Sequence, residues 1–576
     1  YPAFPVFYNN KASESLDIIE IWTLFHLTLS PNIGIIIPMF GGVLMSLVYL
    51  KNKKNGVTYV YESVGYWDKE KKQARNNRKC IGKLDPVTGD FVPSKKYSET
   101  MKELIAKKPG PVPTERAERR FYGTTYLFDT IGTKLGITED LKRCFPDTYK
   151  QILSVAYYLV MEDRNSISRF PKWARTHVHP FGKNIPSQRS SDLFGSITED
   201  AKQQFFHRQA ERRIQEEYLA YDTTSISSYS KSLKQVKYGK NKDHDPLPQI
   251  NMALLFGETS GLPVSYRKLP GNIADVKTIQ HLLKEFELFG KKKTKIVMDR
   301  GFYSEQNINA FYEKHLKFLI GVRTSLKFVQ KKLAEVRATM VSRPHYQSTI
   351  GLYYQSFMTD WNYESLQKRS GEVIKTKKRV YLHLYYNDQK ATDDKMAFNK
   401  LLDVLEEELI SGRRNPDHEK LYARYYMIKE TPVRGITLTP KKEAIEKAEQ
   451  DYGYFALLSN GIKDPIEAIN IYRTKDMIEK AFGNLKERLN LRRTSVSSEE
   501  NLDGKLFVQF IALFYLSYIK KAMSDHDLFK RYTLQEVLDD LDVIEQFRQP
   551  GHDASIGEMT KKQMDLYKEL GVMIPS

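Results

Sequence analysis

Only two cysteines occur in 576 residues, Cys80 and Cys144, far apart and without CxxC spacing. That excludes a disulfide-stapled scaffold and a cysteine-rich zinc finger, and it suits a reducing cytosol. Acidic residues are in short supply too: 71 Asp and Glu face 90 Lys and Arg, a formal charge of +19. With a sequence pI of about 9.3, the balance favours a polyanionic partner. Nucleic acid comes first, because each neutralised phosphate releases counterions. A merely solvated cationic surface is the other reading of charge alone. Internal repeats and low-complexity tracts are also absent, which leaves no repeat architecture to consider.

Between Ile21 and Leu50 there is no Asp, Glu, Lys or Arg. The run is long enough to cross a bilayer. Pro31, Pro38, Gly41 and Gly42 interrupt it, however, and no basic stretch precedes it as a secretory signal requires. Residues 1–50 are therefore read as an apolar extension ahead of a start at Met39 or Met45, without a function of their own. A membrane anchor is the competing reading and rests on this run alone.

What is present describes a folded protein: 41% hydrophobic and 28% charged residues, over a length that suits two to four domains. Residues 51–97 carry β-rich pieces, "VTYVYES" and "KCIGKL", around a basic segment closed by the turn "DPVTGD". This predicts a small basic β module. A helical pattern fills 98–216. Strands dominate from residue 217, with strand and helix units alternating to 324, which predicts an α/β fold around a buried mixed sheet. From 325 to 450 the texture changes to that of a β-rich insertion, with one helix whose Phe398, Leu401, Leu402, Leu405 and Leu409 form an apolar stripe. The strand and helix pattern resumes over 451–500, and 501–576 is helical.

Two aspartates follow buried-type strands. Asp222 comes after Tyr218, Leu219, Ala220 and Tyr221, and Asp299 comes after "KIVM". A central sheet of this kind places its chemistry at strand carboxyl ends. Further on, Tyr472, Lys475, Glu479 and Lys486 stand at offsets 0, 3, 7 and 14, which predicts one face of a single helix. Three carboxylates with cations beside them are the composition of two-metal phosphoryl chemistry. The plainer reading is three acids drawn from 71, with Glu479 paired to Lys475 at i, i+4.

"MDRGFYS", "LPGNIADVKTI" and "YRTKDMIEKAFGNLK" together resemble the DDE transposases of bacterial insertion sequences, specifically the insertion-sequence-four superfamily. Its helix signature of Tyr, Arg, Glu and Lys is matched by Tyr472, Lys475, Glu479 and Lys486, with lysine in place of arginine. Lysine keeps the charge and loses the bidentate fork. The resemblance spans roughly residues 50 to 530 and implies an RNase H-like mixed sheet with flanking helices. It makes Asp222, Asp299 and Glu479 the catalytic and metal-binding triad for two Mg2+ ions, with Mn2+ as substitute. It implies cleavage at terminal inverted repeats, a hairpin intermediate and strand transfer, by a homodimer acting on double-stranded DNA. The basic β module and the helices to 216 would bind the transposon ends. Tyr472, Lys475 and Lys486 would contact phosphate. Arg300 and Tyr303 either touch DNA or pack. No small-molecule substrate is implied, and the setting is the bacterial cytoplasm, at the nucleoid.

Other features have plainer readings. Trp361 either stacks on a flipped base or is buried in the insertion. "HVH" at 177–179 and "DHD" at 243–245 lack zinc-site company. "KKKTK" at 291–295 reads as a solvated turn. The apolar stretch 506–523 reads as a core helix rather than a membrane span. Two functional readings remain: an active enzyme, or a DNA-binding relic or repressor that no longer cuts.

Overall fold

Short apolar runs bounded by turn formers predict strands from Val57 onward, and a computed structural model of the chain shows how they pair. It describes residues 36–38, 44–68, 70–98, 118–163, 166–213, 217–230, 232–288, 294–366, 373–431, 435–496, 498–549 and 552–575. The chain divides into two compact units, Tyr1–Pro113 and Thr114–Ser576.

In the first unit β1 (Ile36–Pro38), β2 (Leu44–Lys51), β3 (Thr58–Asp68), β4 (Gln73–Leu84) and β5 (Phe91–Pro93) form one antiparallel sheet in chain order. The turn before β5 forms as its residues require. The Asp85 carboxylate accepts from the Val87 and Thr88 amides, and Gly89 takes a φ of +73° that glycine adopts without steric cost. Val60 and Ile81 are buried, whereas residues 73–80 of β4 are exposed. Residues 36–38 and 44–50, part of the stretch read as an extension, are thus strand residues. The rest of residues 1–50 lies outside the described residues.

The second unit begins with β6 (Glu118–Phe121) and the helices Gly123–Lys134, Ile137–Cys144, Tyr149–Met161, Phe170–Thr176, Ser187–Ser196 and Glu199–Arg213. Tyr149–Met161 and Ser187–Ser196 pack on the 27-residue helix Glu499–Asp525. Among the described residues this is the one helix long and apolar enough to cross a membrane. Leu506 to Ser517 are nevertheless all buried in the protein, which makes it a core helix. "HVH" is also structural. His177 Nε2 pairs with Asp542 at 2.9 Å, and His179 Nδ1 meets the Ser154 hydroxyl at 3.0 Å.

The large sheet starts with β7 (Tyr218–Ser228), β8 (Gln249–Gly257) and β9 (Pro263–Pro270), an antiparallel trio. β10 (Lys295–Met298) lies parallel to β7, and β11 (Lys317–Val322) parallel to β10. The spatial order β9-β8-β7-β10-β11, with helices Asp275–Leu288 and Glu305–Glu313 as the connections, is the RNase H-like arrangement. The sheet then continues through the insertion. β12 (Tyr346–Gln347) and the long hairpin of β13 (Leu352–Leu366) and β14 (Val373–Tyr386) extend it. β15 (Tyr426–Thr431) and β16 (Gly435–Pro440) pair only with each other, and β17 (Tyr454–Ser459) fills the place between β11 and β14. β18 (Arg493–Thr494) adds to β7 alongside Ser227 and Ser228. At the C-terminus β19 (Glu545–Arg548) joins β6 to β20 (Ser555–Ile556).

Residues 325–450 are therefore as much helix as strand. Their helices include Lys327–Met340 and the 23-residue Asp388–Ile410. The predicted stripe is realised: Phe398, Leu405 and Leu409 are buried with Tyr422, Tyr425 and Tyr426, and Leu401 and Leu402 pack beside them. This cluster is separate from the main core. Trp361 is also buried, donating from Nε1 to Asn309 Oδ1 at 2.8 Å with its ring edge-on to Phe328.

Candidate active site

Strand register places the first two carboxylates. In the parallel pair, Met298 lies opposite Tyr221, so the next residues, Asp299 and Asp222, occupy neighbouring positions. β10 ends there and β7 does not. Asp222 was expected to end its strand, yet β7 runs six residues further, because "TTSISS" continues to pair with residues 249–253 of β8. What ends at Asp222 is its neighbour, which leaves the carboxylate at the rim of the parallel part of the sheet.

Each aspartate is held differently. Asp222 Oδ1 accepts from the Thr223 amide at 2.7 Å, and Lys242 Nζ lies 3.5 Å away. Burial pushes the Asp222 carboxyl above its ordinary value, against the pull of the Lys242 ammonium, the Thr223 amide and Lys475. Asp299 caps the short turn Arg300–Phe302. Its Oδ1 accepts from the Arg300 amide and from the Tyr472 hydroxyl, each at 2.8 Å. Burial works to raise it as well, but Lys475, Tyr472 and the Arg300 amide outweigh that and hold the carboxyl below its usual range. Gly321 of β11 leaves room for that contact: a Cβ there would sit 2.7 Å from the Tyr472 hydroxyl.

The segment carrying Tyr472, Lys475, Glu479 and Lys486 is not one regular helix. It divides into Pro465–Thr474 and Asp476–Gly483, then widens into a π turn over Asn484–Arg488. At the junction the Lys475 amide bonds back to Tyr472 and the Ile478 amide to Lys475, three residues rather than four, which tightens the coil locally. Lys475 Nζ donates to Glu479 Oε1 at 2.8 Å, so the i, i+4 pair does form. The same ammonium is in Coulombic reach of Asp299 and Asp222. Burial would lower its pKa, but Glu479, Asp299 and Asp222 raise it instead. Lys475 thereby links all three carboxylates. After the π turn, Lys486 pairs with Asp243 at 2.6 Å, and burial still holds its pKa below the ordinary value despite that partner. Arg473 turns away to the Ile350 carbonyl.

Arg300 is exposed, and Tyr303 packs beside Phe328. A groove of about 700 Å³ runs from Asp299, Arg300 and Tyr472 to Phe398, Tyr452 and Tyr454, joining the strand ends to the insertion. Two residues that sequence reasoning passed over also belong here. Asp275, first in its helix, accepts from the Thr223 hydroxyl at 2.6 Å, and Lys242 spans Asp222 and Asp275, lying 3.6 Å from the latter. Asp275 sits inside the quoted block "LPGNIADVKTI", so a signal existed for it. Lys242 lies in an irregular loop and had none.

The donors are hard carboxylate oxygens, which suit Mg2+ or Mn2+. Lys475 among them marks a place where positive charge is favoured. Among the described residues, no three acidic, histidine or cysteine side chains converge closely enough to hold one ion as they stand.

The family model described as "Transposase DDE domain" matches residues 214–515, more than half of the chain. The chain belongs to the DDE transposases. It is therefore a transposition enzyme acting on DNA, from a family that generally uses divalent metal ions. No curated protein matches its sequence. Among solved structures it is similar to piggyBac transposase in a synaptic complex with hairpin DNA, at 12% identity and a TM-score of 0.34, covering 73% of this chain and 76% of that one.

Proposed function

We propose that this DDE transposase is a cut-and-paste enzyme of the bacterial insertion-sequence-four type. A homodimer binds the terminal inverted repeats, and water attacks a phosphodiester to free a 3'-hydroxyl. That hydroxyl attacks the opposite strand to close a hairpin, water reopens it, and the freed 3'-ends join to target DNA. The reading places the enzyme in the bacterial cytoplasm, at the nucleoid. One observation carries it: Asp222 and Asp299 stand side by side at the rim of the parallel strands, linked through Lys475 to Glu479.

Asp222, Asp299 and Glu479 would hold two Mg2+ ions, which supply activation of the attacking oxygen and stabilisation of the leaving one. Tyr472 orients Asp299 through its hydroxyl. Lys475 gathers the carboxylates and is positioned to turn to phosphate. Lys486 binds the phosphate backbone beside the cut. Arg300, exposed where the groove opens, meets the strand that enters it. The basic β module and the helices before residue 216 contact the transposon ends.

The test is cleavage of a labelled duplex carrying the element's own terminal repeat by the full chain, with Mg2+ or Mn2+, beside Glu479→Gln. Metal-dependent nicking at the repeat boundary, lost in the variant, is the expected result. Tight, salt-sensitive binding without nicking by either protein would overturn it in favour of a DNA-binding relic or repressor.

A further inference from the structure

The connection from β7 to β8 doubles back along β7. The Asn241 amide side chain donates to the Ser227 hydroxyl at 3.2 Å, the Lys242 amide to the Ser225 hydroxyl at 3.2 Å, and Lys242 Nζ to the Thr223 carbonyl at 2.6 Å. Two aspartates in this stretch face the opposite way in charge and in partner. Asp243 Oδ2 accepts from Lys486 at 2.6 Å, and Asp245 Oδ2 accepts from Arg493 Nε at 2.8 Å. Between them His244 has a φ of +57°, a left-handed conformation uncommon outside glycine.

The anions of the segment stand where phosphates would, and its cation rests where the carboxylates favour positive charge. Its cation, Lys242, rests against the carboxylates Asp222 and Asp275, and its two anions rest on the cations Lys486 and Arg493. Lys486 is the residue read above as a phosphate contact. Arg493 is half exposed, also bonded to the Tyr229 hydroxyl, and presents a guanidinium suited to a phosphate oxygen pair. Carboxylate and phosphate compete for the same donors.

We propose that Lys486 and Arg493 form a two-point clamp on the DNA phosphate backbone, and that Asp243 and Asp245 occupy its two places until DNA displaces them. The Arg493 contact and the aspartate strap are additional to the function proposed above, while the Lys486 half rests on it. DNA binding then exchanges two internal ion pairs for two phosphate contacts, so the strap lowers affinity for any DNA that must displace it to reach those cations. Removing either carboxylate removes the competitor and strengthens binding.

The experiment measures binding of a fluorescently labelled, mixed-sequence duplex to the full chain across a salt series, for Asp243→Asn, Asp245→Asn, Arg493→Gln, Lys486→Gln and the double variant Asp245→Asn with Arg493→Gln. Each aspartate variant is expected to bind about threefold tighter or more. Arg493→Gln and Lys486→Gln should each bind more weakly, with the slope of log affinity against log salt reduced by about one. In the double variant the gain from Asp245→Asn should vanish, because Arg493 is the one cation of the clamp that Asp245 covers. A purely structural ion pair behaves oppositely, since its loss lowers the thermal midpoint and leaves affinity unchanged or weaker. Binding indifferent to Lys486→Gln would sink the phosphate reading of Lys486 and the proposal with it. Binding that falls with Lys486→Gln but fails to rise with either aspartate variant would sink the proposal alone.

Discussion

The sheet that carries Asp222 and Asp299 and the helical part of the insertion are built on different cores. The sheet shares one continuous apolar core with the helix Glu499–Asp525 and the N-terminal helices, whereas Phe398, Leu405, Leu409 and three tyrosines form a cluster of their own. A site that must hold carboxylates in fixed positions sits on the large core. The part that lines the far side of the groove sits on the small one. The difference predicts that the catalytic half of the groove is the more rigid one, and that the helical part of the insertion can loosen or repack without moving Asp222 or Asp299.

Leu513→Ala and Leu405→Ala test that division most strongly, because both side chains are fully buried. Leu513→Ala should cost about 2–5 kcal/mol of global stability and lower the main thermal transition. Leu405→Ala removes a similar side chain but should leave that transition nearly in place, opening instead the stretch 388–450 to limited proteolysis. An equal drop in the main transition for both variants would mean that the two cores unfold as one.

Acid sharpens the contrast. His179 is buried on the large core, and burial, with Arg120 and His177 nearby, pushes its pKa from 6.5 down to about 4. The folded protein thus favours the neutral ring, so this contribution is present in full above pH 6.5 and is lost as pH falls towards about 4. The loss should reach about 3 kcal/mol. Urea unfolding of His179→Gln and the parent at several pH values should show curves that converge as the pH drops. Parallel curves would remove His179 from the account.

Much of the arrangement was legible because it follows strand polarity and helical period. The apolar runs before Asp222 and Asp299 led to the right part of the sheet, and the stripe from Phe398 to Leu409 led to the insertion's own cluster. Period alone also misled. The expectation that the strand ends at Asp222 fails, because the Thr and Ile residues of "TTSISS" suit a strand and its partner β8 continues alongside. The offsets of Tyr472, Lys475, Glu479 and Lys486 assumed 3.6 residues per turn throughout, and the junction at Lys475 and the π turn after Gly483 break that assumption. The ion pairs of Lys242, Asp243 and Asp245 were beyond reach even though "DHD" stands out as a motif, since an irregular loop has no period and its partners lie more than 200 residues away or across the strand.

The smallest expected effect lies where the rigid half is tightest. Gly321→Ala sets a Cβ 2.7 Å from the Tyr472 hydroxyl and 3.1 Å from the Arg300 amide. Both groups serve Asp299, so the substitution should disturb the carboxylate without touching it, at a cost of about 1–3 kcal/mol in stability. Tyr472→Phe alone deletes one hydrogen bond to Asp299 and should cost about 1 kcal/mol. Combined, the two should cost less than their sum, because the deleted hydroxyl is the nearest atom to the new methyl group. Calorimetry of the four proteins measures that coupling. Strict additivity would show that strand β11 moves aside instead, and that the half of the groove bearing Asp299 is less rigid than its core implies.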